Sequence, residues 1–208
     1  MTIGILGRKI GMTQIFDEKG NAVAVTIVKS GPCCITQIKS TAQCGYDAVQ
    51  LGYEEITTKN RHLTKPNLGH FVKNNLIPHR YLREYKVSNI SEYTIGQKIS
   101  IELFKIGQKI AVSGQTIGKG FASNIKRNHF ARGPMTHGSK HHRLQGSLGA
   151  GTSPGRVFPG KKMAGRLGMD RQTIKNLEIL DIDYSENLLV IRGSLPGKIG
   201  NLLSLKCL

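Results

Sequence analysis

A mainly β body, interrupted once by a long irregular basic segment, is the fold class that this sequence predicts. Three observations carry that reading. Short β-branched runs alternate apolar and polar residues, turn residues punctuate them at close intervals, and between Gly114 and Gly168 both signals vanish while positive charge accumulates.

The first run, Met12 to Phe16, leads through the turn Asp17-Glu-Lys-Gly20 into Ala22 to Lys29, where Val23, Val25 and Ile27 share one face of a strand. Further strands are predicted at Cys34 to Lys39, Asp47 to Tyr53, Tyr81 to Val87, Lys98 to Leu103 and Lys109 to Ser113, with Gly31-Pro32, Gly45 and Gly96 between them. From Thr2 to Ser113 this is the pattern of a β-meander or barrel. One helix is predicted inside it, from Lys65 to Asn74. The Thr64 hydroxyl is placed to accept an early orphan amide, Pro66 suits a first turn, and Pro78 limits the helix downstream. A small α-containing insertion thus falls around residues 57–90.

The stretch from Gly114 to Gly168 has 55 residues with ten Lys or Arg, four His, twelve Gly and no acid; all 13 Asp and Glu lie elsewhere. Its apolar residues follow neither period 2 nor period 3.6, so no lasting regular element is predicted. Alternation returns at Asn176 to Asp183, breaks at Ser185-Glu-Asn187 and resumes at Leu188 to Ile191, a hairpin in which Asp181 and Asp183 take the wet face; Leu202 to Lys206 supplies a last strand. The expected division is a body of residues 1–113 and 169–208 around an extended loop of residues 114–168.

Charge narrows the function. Lys and Arg number 30 against 13 acids, a formal +17 with a sequence pI near 10, and a compact fold tolerates this best beside a polyanion. No apolar run approaches the roughly 20 residues of a spanning helix, so no membrane partner is expected. The opening residues lack the pattern of a signal or transit peptide. Cys33, Cys34, Cys44 and Cys207 form no C-x-x-C pair and read as reduced thiols, not zinc ligands.

A loop of this length is either disordered or functional. A flexible linker is the bland alternative. Against it stand scattered apolar anchors (Ile117, Phe121, Phe130, Met135, Val157, Phe158 and Met163) and the absence of low complexity. A segment that orders on RNA explains the composition better: Gly allows close backbone approach, Lys and Arg neutralise phosphates, and apolar residues fill gaps between RNA helices. At 27 residues each way and up to roughly 3.3 Å per residue, it reaches on the order of 50 to 90 Å.

Catalytic readings are weaker. Gly114-Gln-Thr-Ile-Gly118-Lys119-Gly120 falls short of a phosphate loop by one spacer residue and by Gly120 where a Ser or Thr would meet magnesium. His137, His141 and His142 have no carboxylate or thiol nearby in sequence and no helix to align them, so RNA contact outweighs a metal site. The alternative function is an RNA-modifying or RNA-cleaving enzyme using these three histidines, with Lys140 or Arg143 holding phosphate; a basic DNA-organising protein is a third. No cofactor, metal or small-molecule substrate is expected. With six Phe, six Tyr and no Trp, base stacking on a sheet is not supported.

Gly4-Ile-Leu-Gly7-Arg-Lys-Ile-Gly11-Met-Thr-Gln-Ile-Phe16 closely resembles the opening of the large-subunit ribosomal protein L3 family. Gly118-Lys119-Gly120-Phe121-Ala122, Thr136-His137-Gly138, Pro154-Gly155-Arg156-Val157-Phe158 and Gly160-Lys161-Lys162-Met163-Ala164-Gly165 are similar to its central loop, and Asn187 to Gly193 to its final hairpin. The resemblance implies a Greek-key, SH3-like translation-protein β-barrel whose long loop runs into the large ribosomal RNA toward the peptidyl-transferase centre. It also implies a part in subunit assembly beside neighbouring large-subunit proteins. The RNA contacts then expected are Arg8, Lys9, Lys119, Lys126, Arg127, Arg132, His137, Lys140, His141, His142, Arg143, Arg156, Lys161, Lys162 and Arg166, with no catalysis. Bacterial relatives carry a methylatable glutamine at the loop tip where this chain has Ala150, so that modification is not expected. Size, loop type and an Ile-, Lys- and Asn-rich composition suit a bacterial or plastid-encoded ribosome.

Overall fold

The structure is a computed structural model and describes residues 3–56 and 63–208. Thr2 and residues 57–62, the start of the expected insertion, lie outside the described residues. The chain divides into two compact units: Met1–Gln115 with Arg171–Leu208, and Thr116–Asp170.

In the first unit, six antiparallel strands close a barrel in the order β1-β12-β7-β10-β11-β2. These are β1 (Gly4–Phe16), β2 (Ala22–Ser30), β7 (Lys109–Gln115), β10 (Arg171–Asp183), β11 (Leu188–Arg192) and β12 (Leu202–Cys207). β7, β10 and β11 follow one another, and β12 returns to lie beside β7, which is a Greek-key order. Period-2 alternation explains the closure. Ile5, Leu205 and Val112 stand opposite one another across three strands, Val28 faces Leu189 across two more, and all five are fully buried. Register shifts at Lys9/Gly11 in β1 and at Ile174/Leu177 and Ile179/Asp181 in β10 add the local twist that bends strands around a small barrel. On β10, Asp181 and Asp183 are exposed on either side of buried Ile182, and Asp183 accepts from the Ser185 amide and hydroxyl to shape the turn into β11.

Not all of the body is barrel. β3 (Cys33–Lys39), β4 (Ala48–Glu55), β5 (His79–Lys86) and β6 (Lys98–Ile99) form a separate four-stranded antiparallel sheet, ordered β5-β4-β3-β6. Alternation reveals a strand but not its neighbours, so the sequence reading merged these strands with the barrel. The two sheets share one core, with Ile35, Leu51 and Tyr85 joining the barrel residues. Gly4 permits the junction: a Cβ there would collide with the Tyr85 ring, whose hydroxyl shares a 2.7 Å hydrogen bond with Ser204. The strand expected over Lys98 to Leu103 stops at Ile99 and gives way to a 3₁₀ turn, Ile101–Leu103, that buries Ile101. A four-residue helix, α1 (Thr41–Cys44), also went unpredicted because it buries nothing.

Helix α2 (Lys65–Val72) lies within the expected span, with Pro66 in its first turn and Phe71 buried. The Thr64 hydroxyl makes no capping hydrogen bond; only its carbonyl serves the helix, accepting from the Leu68 amide at 3.0 Å. His70 Nε2 meets Gln50 Oε1 at 2.9 Å, and the Asn74 side-chain amide donates to the Thr36 carbonyl at 3.0 Å, tying α2 to the second sheet. The four cysteines are free, and burial pushes the Cys33 thiol up to about 12, which keeps it protonated.

Lys9 is 7% exposed, and its ammonium donates to the carbonyls of Leu195 (3.0 Å) and Gly197 (3.2 Å). Burial lowers its pKa. Replacing Lys9 by Met keeps the aliphatic stem but strips both carbonyls of their donor. The expected loss is about 1–3 kcal/mol of unfolding free energy, read from urea denaturation; an unchanged midpoint would contradict this role.

Candidate nucleic-acid interface

The second unit, Thr116–Asp170, holds all but the first two residues of the acid-free stretch and adds Met169 and Asp170. Its ends are zipped by backbone bonds: Thr116 N–H donates to Asp170 O, Lys119 N–H to Leu167 O, and Leu167 N–H to Gly120 O, each at 2.9 Å. A two-stranded ladder follows, β8 (Phe121–Ala122) with β9 (Gly165–Arg166), and then the five-residue helix α3 (Asn124–Asn128), closed by His129 at φ 59°. These elements are two to five residues long, in keeping with the expectation that no lasting regular element would form. Periodicity misses them because they are too short to bury a face.

Asn124 is the internal tie. It is 2% exposed, and its amide donates to Gln145 Oε1 (2.9 Å) and to the Lys162 carbonyl (3.2 Å), while its Oδ1 accepts from Asn128 at 2.7 Å. Asn128 and Arg127 both reach the Met163 carbonyl, at 3.1 and 2.8 Å. One buried amide thus joins α3 to two distant stretches of the segment. Further out, Gly133 N–H donates to the His142 carbonyl at 3.1 Å, and no other residue fits there because a Cβ would strike the His141 carbonyl.

Neutral groups make all of these bonds except the one from Arg127, so the cations remain outward. Lys119, Lys126, Arg127, Arg132, Lys140, Arg143, Arg156, Lys161, Lys162 and Arg166 are all exposed. Among the described residues none of them is ion-paired; the ion pairs there use Glu54, Glu55, Glu84 and Glu178, all of the first unit. Apolar side chains are exposed among the cations: Phe121 is 80% exposed, and Met135, Leu144 and Phe158 are exposed too. The Arg156 guanidinium lies 5.9 Å from the centre of the Phe158 ring.

His137 and His141 are exposed, and His142 is half-buried. The Nδ1 of His142 sits 2.9 Å from the Pro134 carbonyl, which only accepts, so that nitrogen carries the proton. Among the described residues, no three His, Cys, Asp or Glu side chains gather as a metal site, and no carboxylate orients these imidazoles.

The two N-terminal candidates behave differently from the rest. Arg8 is bound to Glu54, Nε to Oε1 at 2.8 Å and Nη2 to Oε2 at 3.1 Å, with Nη2 also 3.1 Å from the Tyr81 hydroxyl. Lys9 faces inward, as described. The structure removes Lys9 from the accessible cations and gives Arg8 an internal counter-charge. A motif match reports residue type, and neither burial nor pairing is visible in it.

Barrel and segment together define a class: a mainly β protein carrying a carboxylate-poor polycationic unit. The ribosomal protein L3 family profile matches residues 84–189. The large ribosomal subunit protein uL3c of Phaeodactylum tricornutum is 54% identical over 205 residues, covering 99% of this chain and 98% of that one. The uL3 protein of the cyanobacterium Picosynechococcus is 55% identical over 206 residues, with 99% and 96% covered, and uL3c of Guillardia theta is 52% identical over 206 residues, with 99% and 100% covered. The chain belongs to the ribosomal protein L3 family, in company with cyanobacterial and plastid members.

Replacing Asn124 by Ala removes the tie between α3, Gln145 and Lys162. Amide exchange at Lys126 and Arg127 is expected to quicken by roughly one to two orders of magnitude, from about 1–3 kcal/mol of lost bonding, while Ile110 and Val112 in the barrel keep their rates. Equal quickening at both sites, or no change at either, would contradict the assignment.

Proposed function

We propose that this chain is a structural constituent of the large ribosomal subunit, in a bacterial or plastid ribosome, that binds large-subunit ribosomal RNA and has no catalytic role. The observation that carries the reading is the unit Thr116–Asp170, whose ten lysines and arginines are exposed and, among the described residues, ion-paired to no carboxylate. Family membership supports the setting. Residues 114–168 serve as the RNA-penetrating loop, and the body formed by residues 1–113 and 169–208 anchors it beside neighbouring large-subunit proteins. By the family resemblance the loop extends toward the peptidyl-transferase centre and supports subunit assembly.

The contacts proposed are the ten cations of the loop together with His137, His141 and His142. Lysines and arginines act on phosphate, and the imidazoles and exposed Phe and Met side chains meet sugars and base faces. Arg8 contributes at the margin, because Glu54 already offsets its charge.

Gradient sedimentation tests the setting: the chain is expected with the large subunit. Its RNA affinity tests the chemistry. With about five phosphate contacts, the logarithmic salt slope is expected near −4 to −5, and the double replacement K161Q/K162Q should flatten it by about 2. Salt-independent binding, or sedimentation with chromosomal DNA, would contradict the proposal.

A further inference from the structure

The β1–β2 hairpin outgrows the barrel. β1 is paired to β12 only over Gly4–Arg8, and β2 to β11 only over Val25–Lys29. From Gly11 to Phe16, β1 has β2 on one side and, among the described residues, no strand on the other. The polarity of that free edge follows from two bonds. Asp17 N–H donates to Asn21 O across the hairpin, whereas Ala24 O accepts from Gly193 on the far side of β2. Antiparallel alternation then turns the amides and carbonyls of Met12, Gln14 and Phe16 outward.

Three large apolar side chains there are exposed beside Thr13 and Gln14: Met12 by 50%, Ile15 by 37% and Phe16 by 67%, with Ile10 at 44% just before them. Natural edge strands are usually blunted by lysine, proline or a covering loop, because an open apolar edge recruits any passing strand. Gly11 to Phe16 contains no charge and no proline. Such an edge is a ready template for an added strand.

Charge selects what covers it. From Gly11 to Asn21 the chain has Asp17 and Glu18 against Lys19, a net −1 within a chain of +17. RNA would meet two carboxylates and a single cation there, and a phosphate backbone cannot pair with both the amides and the carbonyls of a strand. An extended peptide pairs with both, and a cationic one complements the acidic tip.

We propose that the outer edge of β1 from Met12 to Phe16 is a protein-docking edge that takes a lysine- or arginine-rich extended segment of a neighbouring large-subunit protein as an added strand. This rests on the reading that the chain enters the large subunit. The test uses purified large subunits in which Gln14 is replaced by the photoprobe benzoylphenylalanine. Irradiation is expected to give an adduct that survives ribonuclease and yields a basic peptide of another large-subunit protein. An RNA adduct, an adduct between two copies of this chain, or no adduct overturns the inference while the chain still sediments with the subunit; absence of the chain from the subunit overturns the functional reading as well. Independently of any substitution, Met12 and Phe16 amides should exchange about tenfold or more slowly in assembled subunits than in the free chain, and equal rates would overturn the docking edge.

Discussion

Uncompensated positive charge is the constraint on which the rest of this molecule depends. Ten cations within Thr116–Asp170 repel one another, and nothing in that unit's own bonding neutralises them. The two units handle polar groups in opposite ways. In the first, carboxylates do local work: Glu54 binds Arg8, Glu84 binds Lys39 and the Tyr46 hydroxyl, and Asp17 and Asp183 hold turns. In the second, side-chain amides and backbone carbonyls take over, through Asn124, Asn128, Gln145 and the Pro134 carbonyl on His142. Neutral bonding fixes the backbone without consuming a single counter-charge. The charge of the segment therefore stays at its surface, exposed to solvent.

The barrel gives that segment fixed ends. Gln115 on β7 and Arg171 on β10 are register partners, so the 55 residues from Thr116 to Asp170 leave and return at neighbouring positions of a hydrogen-bonded ladder. Closing a loop of this length costs conformational entropy that grows only slowly with length. A closed barrel can carry that cost, since its interior is filled by Ile5, Val112, Leu189 and Leu205, all fully buried, and the inward-facing Lys9 ammonium is held by the Leu195 and Gly197 carbonyls. The second sheet and α2 thicken this base, joined through Gly4 and Tyr85.

Much of the barrel was legible from alternation: β2, β7, β11 and β12 lie where apolar periodicity places them, and α2 lies where Thr64, Pro66 and Pro78 bound it. Strand partnership was not, because pairing is a long-range choice; β3 to β6 carry the same pattern as barrel strands and belong to another sheet. The charge of the basic unit was fully visible, since composition needs no coordinates. Its internal order was not, because a buried Asn124 and a close Gly133 leave no periodic trace. Arg8 and Lys9 show the converse limit: two adjacent cations read as surface groups, yet Glu54 binds one and two carbonyls hold the other.

The measurement that reaches the central claim most directly is short-range ultraviolet crosslinking within intact large subunits, read across the stretch from Ser139 to Lys162. If phosphates supply the counter-charge that the segment omits, peptides carrying Arg143, Arg156 and Lys161 will be recovered joined to large-subunit ribosomal RNA. Recovery of those peptides free of nucleotide, or joined only to acidic protein segments, would contradict the account.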